Sequence, residues 1–147
     1  MRRRLTVGLI AVLAVGCVPR AALIQPGVEI TVQDQAGAPV VDAQVLFIAA
    51  SNPHGQLHHR LDLQTDPDGV VRITKDREFE WIAPFIIHGV PSYYWAWCIE
   101  MPGYAPVVQQ VGRRELVDQY LVTLETSEQE SGCTQEEGNV YVIARAP

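Results

Sequence analysis

The chain has little positive charge. It carries 11 basic residues against 17 acidic ones, for a formal net charge of −6 with histidine neutral. Binding to nucleic acid depends on lysine and arginine side chains that neutralise phosphates. This balance therefore argues against a nucleic-acid partner, and also against attachment to anionic lipid head groups by charge alone.

Recognisable catalytic motifs are also missing. The sequence has no G-x-S-x-G turn for a serine nucleophile and no glycine-rich phosphate loop. Cys98 has no adjacent base, and no particular pair of carboxylates is favoured for acid–base chemistry. We expect a protein that is not an enzyme and needs no cofactor, with an enzyme of unrecognised site as one alternative.

Long helical periodicity is absent too, whereas short strand-like segments between turn residues are frequent. Asp66-Pro67-Asp68-Gly69 is a strong turn signal between two such segments. Seven to nine short strands with closely spaced turns predict an all-β antiparallel sandwich. The predicted strands are 28–33, 43–49, 61–65, 70–74, 81–88, 93–100, 107–111, 120–124 and 139–144.

The longest apolar run stands at the amino end. Residues 5–15 follow three arginines and are too short for a membrane-spanning helix, which needs roughly 20 residues. They have the length of a signal-peptide core. The run ends Leu13-Ala14-Val15-Gly16-Cys17, which resembles a bacterial lipobox, although Ala14 stands where leucine is commoner. The alternative is an ordinary signal peptide cut near Ala14 or Gly16.

The lipobox resemblance implies a lipid-anchored protein. Residues 1–16 would be removed, and Cys17 would receive a diacylglycerol on sulfur and an acyl chain, such as palmitate, on its new amino group. Residues 17–27 would then form the lipidated cysteine and a tether. Because Val18 follows the cysteine, we expect the outer membrane, facing the periplasm, if the host is Gram-negative. The loss of three arginines would bring the formal charge to −9.

Two cysteines remain once Cys17 is assigned to lipid. The cell envelope permits disulfides, and an even pair in such a place is usually bonded. We therefore predict a bond between Cys98 and Cys133, with two separate thiols as the alternative. The surrounding stretch, residues 126–138, reads TSEQESGCTQEEG and is interpreted as a solvated acidic loop.

Several turn and strand motifs occur in an order that resembles one family. The order is VEITVQD, GAPVVDAQV, TDPDG, MPGY and YLVTL, over residues 28–125 of a domain spanning 28–147. This resembles the carboxypeptidase regulatory-like domain, a transthyretin-like β-sandwich. The resemblance implies a supporting role in binding or structure, and it carries over no catalytic residues. Another immunoglobulin-like sandwich is the main alternative. Partners would be another envelope protein or peptidoglycan-associated machinery.

Three histidines lie close together in the polar segment SNPHGQLHHR. His54 and His58 have a spacing found in zinc sites, and His59 is adjacent. However, proline and glycine flank His54, so the simpler interpretation is an exposed loop tip. A metal-handling lipoprotein that uses these three residues is the second functional hypothesis. His88 has no identifiable acidic partner and is interpreted as structural.

Aromatic residues offer a weak candidate surface for a partner. Trp81, Phe85, Tyr93 and Tyr94 flank Val90-Pro91, and exposed aromatic side chains are typical of partner sites. The alternative is that most of them pack in the core or at the ends of strands.

Alternation along the strand at 93–100 separates its two faces. Alignment of MPGY to the family pattern places the tryptophan face in the core and Cys98 outside. A bond to Cys133 would then bring the acidic segment and the strand NVYVIA across or beside the outer face. The inward set is Trp95, Trp97, Ile99 and Met101, and the outward set is Tyr94, Ala96, Cys98 and Glu100.

Overall fold

The computed structural model describes residues 18–52, 55–82, 91–129 and 131–144. These ranges contain eleven β-strands and no helix, so the predicted all-β class is confirmed. Accordingly, the described part of the chain offers no helix that could cross a membrane. The strands are β1 (Val18–Gln25), β2 (Val28–Asp34), β3 (Gln44–Asn52), β4 (Gln56–Gln64), β5 (Val70–Ile73), β6 (Asp76–Ile82), β7 (Ser92–Glu100), β8 (Val107–Gly112), β9 (Gln119–Leu124), β10 (Ser131–Glu136) and β11 (Asn139–Ala144).

The chain divides into two compact units. One comprises Met1–Ala22 and Arg77–Val90, and the other comprises Leu23–Asp76 and Pro91–Pro147. β1 and β6, most of whose residues belong to the first unit, form a two-stranded ribbon. Arg20 Nε lies 3.6 Å from Glu80 Oε1 across this ribbon.

The second unit is built on two sheets with the strand orders β5-β2-β9 and β4-β3-β7-β8. The four-stranded sheet is antiparallel throughout. In the three-stranded sheet, β2 pairs antiparallel with β5 but parallel with β9. This parallel pair departs from the antiparallel sandwich expected, and β9 lies on the opposite edge of β2 from β5. A separate hairpin of β10 and β11 completes the unit.

The main core is formed by the facing sides of these two sheets. Val28, Ile30 and Val32 alternate with more exposed residues along β2 and point into it. Trp95 and Trp97 enter from β7, and both side chains have 0% exposure. The predicted inward orientation of the tryptophan face is therefore confirmed.

The turn before β5 is held by one carboxylate. Asp66 Oδ1 accepts hydrogen bonds from the backbone amides of Asp68 and Val70, both at 2.9 Å. The Val70 amide is the main cause that lowers the pKa of Asp66. Gly69 has φ 73°, and a Cβ there would lie 2.6 Å from the Val32 carbonyl oxygen. The predicted turn therefore depends on glycine for both its conformation and its space.

The tether prediction is wrong for residues 18–25, which form β1. The segment lacks the alternation of a half-buried strand, and its partner β6 is remote in sequence. At its carboxyl end, Ile24 is 2% exposed, and its carbonyl accepts a hydrogen bond from Trp95 Nε1 at 2.7 Å. Packing against residues far along the chain therefore orders a segment that local sequence does not identify.

Other strands begin earlier than predicted or were missed. β4 starts at Gln56 because its polar first half pairs with β3. β10 occupies part of the predicted acidic loop and is ordered by pairing with β11. β6 ends at Ile82, whereas the predicted strand ran over 81–88, of which 83–88 lie outside the described residues. These strands were not predicted because their residues are mostly polar. Each strand can be polar because it leaves one face or edge in solvent.

We expect Trp95→Ala to lower the free energy of unfolding by about 3–5 kcal/mol, as large truncations in cores do. The change also removes the hydrogen bond to Ile24. Urea denaturation followed by circular dichroism measures the effect. Trp81→Ala is the matched control, because Trp81 is 71% exposed, and it should change stability by less than about 0.5 kcal/mol. Equal midpoints for the two variants would contradict the burial of Trp95.

Candidate functional site

An open cleft of about 630 Å³ lies at one end of the sandwich. Its walls come from the segment that enters β3, from the end of β7 with the turn that follows, and from the segment that leads into β10. The described lining residues are Asp42, Gln44, Glu100, Met101, Pro102, Gly103, Tyr104, Ser127, Glu128, Gln129 and Ser131.

The turn after β7 shapes one wall of the cleft. The Tyr104 amide donates to the Met101 carbonyl at 3.0 Å, which closes the turn. The Ser127 amide then donates to the Gly103 carbonyl at 2.9 Å, and Tyr104 forms an isolated bridge with Thr126. Tyr104 is partly buried against the main core. The turn at Pro102-Gly103-Tyr104 thus fastens the segment at 126–129 beside the end of the sandwich.

The polar groups of the cleft are mainly hydrogen-bond acceptors. Carboxylates come from Asp42, Glu100 and Glu128, and hydroxyls come from Tyr104 and two serines. Asp42 has φ 58°, a conformation that costs a non-glycine residue about 1–2 kcal/mol, although aspartate tolerates it better than most. Such a set of acceptors suits cations and hydrogen-bond donors.

The β10–β11 hairpin is attached to the outer face of the four-stranded sheet by a disulfide. Cys98 on β7 is bonded to Cys133 on β10, with 5.8 Å between their Cα atoms. Glu100, which lines the cleft, also accepts a hydrogen bond from the Cys133 amide. The structure therefore agrees with the predicted bond and with the predicted placement of the tail. The cluster beneath the hairpin contains Leu46, Ile48, Ala96, Cys98 and Val140, with Cys133 partly buried against it.

A second attachment lies at the turn of the hairpin. The Tyr94 hydroxyl donates to the Gly138 carbonyl at 2.8 Å in a buried position. A Cβ at Gly138 would overlap the Gly55 carbonyl oxygen and lie 2.7 Å from the Tyr94 hydroxyl oxygen. Only glycine fits this close approach. Burial, with the nearby Tyr141, raises the pKa of Tyr94.

The four aromatic candidates do not share one environment. Tyr94 is 7% exposed, so the prediction that it offers a partner surface is wrong: the hairpin covers its face of β7. Tyr93 is partly buried, with its ring centroid 5.1 Å from that of His58. Trp81 is exposed, as is Phe79, which was not among the four candidates. Phe85 lies outside the described residues.

The two described histidines of the metal hypothesis have different partners. His58 Nε2 is 2.9 Å from Ser51 Oγ, and His59 Nε2 is 4.0 Å from Asp76 Oδ2. They occupy β4 at a bulge, because Ala49 pairs with His59 while Ala50 pairs with Leu57. The predicted loop is therefore a strand here, and the structure gives the two rings no shared ligand arrangement. His54, His88 and Cys17 lie outside the described residues.

Comparisons with known proteins identify no family. No family model matches the chain, and no curated protein matches it. Among solved structures, it is similar to the crystal structure of 3-chlorocatechol 1,2-dioxygenase from Rhodococcus opacus 1CP, with 16% sequence identity and a TM-score of 0.46. The match covers 77% of this chain and 64% of the dioxygenase chain, so this chain spans less than two thirds of that protein.

The Tyr94 hydroxyl makes hairpin attachment sensitive to high pH. Because its folded pKa is raised above the unfolded value of about 10, its contribution to stability is complete below about pH 10. That contribution is lost as pH rises through the folded pKa. Urea denaturation between pH 7 and 11.5 should show a smaller loss for Tyr94→Phe than for the unmodified protein. Identical pH profiles for the unmodified protein and Tyr94→Phe would contradict this role.

Proposed function

We propose that this protein is a lipid-anchored component of the cell envelope whose sandwich binds a positively charged group of a partner and does not catalyse a reaction. The cleft beside Tyr104 carries the proposal, since carboxylates converge there from separate segments of the fold. Its described lining has acids, hydroxyls, amides and a thioether, which can hold a cation without any covalent chemistry.

The anchor follows from the residues before β1. Cys17 ends an apolar run of signal-peptide length, in the arrangement that resembles a lipobox. Each buried methylene contributes about 0.8 kcal/mol to membrane attachment, so two or three acyl chains would hold the protein durably. Val18 after the cysteine favours the outer membrane, facing the periplasm, in a Gram-negative host. The transthyretin-like identity of the sandwich belongs to the same proposal, supported by its two-sheet core and its turns.

The partner follows from the charge in the cleft. Asp42, Glu100 and Glu128 bring negative charge to a concave surface, where low-dielectric walls strengthen electrostatic attraction. A lysine or arginine side chain of an envelope protein, or a free amino group in peptidoglycan-associated material, would supply the opposite charge. Tyr104 adds a phenol ring, which can contact such a cation through its face.

Lipidation is checked by the intact mass of the mature protein. We expect a chain that begins at Cys17 and carries one diacylglycerol and one further acyl group. Cys17→Ala should abolish that added mass because the modified sulfur is gone. Ser51→Ala serves as the control, since it changes a distant residue of the folded domain and should leave the modification intact. A mature chain that carries no lipid, cut near Ala14 or Gly16, would contradict the anchor.

Binding in the cleft is checked with a tetralysine peptide as the probe, titrated by calorimetry into the detergent-solubilised mature protein. Loss of one carboxylate charge about 4 Å from a bound lysine weakens binding by about 1 kcal/mol in water-like surroundings. This corresponds to about a fivefold increase in Kd. Asp42→Asn and Glu128→Gln should each weaken binding by about this factor.

Glu136→Gln is the matched control for these variants. It removes the same charge from an exposed residue of β10 that does not line the cleft. If all three variants weaken binding to the same extent, the peptide is attracted by the overall negative charge of the protein, and the cleft is not its binding site.

A further inference from the structure

We propose that the exposed aromatic side of the β1–β6 ribbon rests on the lipid bilayer. This side, called here the ribbon face, consists of Pro19, Ala21, Arg77, Phe79 and Trp81. The inference depends on the proposed lipid anchor and adds a second point of membrane contact, formed by the protein itself.

The ribbon face exposes two large aromatic side chains from one strand. Phe79 is 82% exposed and Trp81 is 71% exposed. They are two residues apart on β6, so alternation places them on the same side, with Glu78 and Glu80 on the other. One side of β6 is therefore aromatic, and the opposite side is acidic.

The residues of β1 are divided between the same two sides of the ribbon. Arg20 lies 3.6 Å from Glu80, which puts Arg20 on the acidic side of the ribbon. Its neighbours Pro19 and Ala21 are exposed and, by alternation, lie on the aromatic side. Among residues 18–22 and 77–82, the ribbon face thus has no carboxylate, whose transfer towards lipid would be costly.

The position of the ribbon along the chain selects lipid as its partner. β1 begins at Val18, directly after Cys17, and Arg20 already contacts β6. At about 3.3 Å per residue, the acylated cysteine would be at most about 10 Å along the strand from this contact. Acyl chains inserted at Cys17 would therefore keep the ribbon at head-group level.

The residue types suit that depth. Tryptophan concentrates at membrane–water interfaces because its ring is apolar and its N–H is polar. Interfacial segments bury such side chains about 5–10 Å into the boundary between head groups and acyl chains. Because the anchor holds the ribbon beside the bilayer, the effective lipid concentration is high, and even weak insertion is populated. Apolar insertion also agrees with the acidic charge of the chain, since it needs no attraction to anionic lipid.

Tryptophan fluorescence can test the contact in the complete acylated protein. Trp95 and Trp97 have 0% exposure, so Trp81 is the tryptophan accessible to a short-range quencher in the membrane. The protein is reconstituted in phosphatidylethanolamine–phosphatidylcholine vesicles with or without bromine on the acyl chains. We expect brominated lipid to remove most of the Trp81 emission. Trp81→Phe should lose this quenching, while the emission of Trp95 and Trp97 persists in both vesicle types.

The outcomes separate this inference from the anchor. An acylated protein whose emission is equal in both vesicle types overturns the membrane contact and leaves the anchor intact. A mature chain without acyl groups overturns both. A photoreactive amino acid at position 79 provides an independent check in cells: cross-links to lipid support the inference, and cross-links to a protein in place of lipid overturn it.

Discussion

The burial of β7 on both faces is the constraint on which the second unit depends. One face places Trp95 and Trp97 in the core between the two sheets, and the other places Cys98 beneath the β10–β11 hairpin. A strand buried on both sides cannot slip by one residue, since a slip would exchange the tryptophans with the disulfide face. This single strand therefore fixes the register of the four-stranded sheet and the position of the tail.

The shape of the cleft also depends on β7. Glu100 ends β7, lines the cleft and accepts a hydrogen bond from the Cys133 amide next to the disulfide. The turn that follows, through Gly103 and Tyr104, binds the backbone of the segment before β10. The negative side chains thus stand on backbone that is tied to the core and to the hairpin. Such restraint reduces the entropy that a bound partner would otherwise have to overcome.

Features that depend on alternation and turn chemistry were predictable from the sequence. They are the inward face of β7, the turn at Asp66-Gly69 and the pairing of Cys98 with Cys133, because each leaves a local or compositional signal. β1 was missed because its partner β6 is remote in sequence, and β10 and the start of β4 were missed because their own residues are mostly polar. The cleft was not foreseen, although Pro102-Gly103 marked its turn, because its acids come from segments far apart in sequence.

The parallel pair of β2 and β9 has a consequence for the order of folding. β2 is the central strand of its sheet, yet its partner residues on β9 lie about ninety positions later, as in Glu29 with Gln119. Contacts of such long sequence separation require a costly loop closure and form slowly. A chain that emerges from its amino end cannot complete this sheet until Leu124 has appeared. The core between the two sheets therefore closes only after most of the chain has been made.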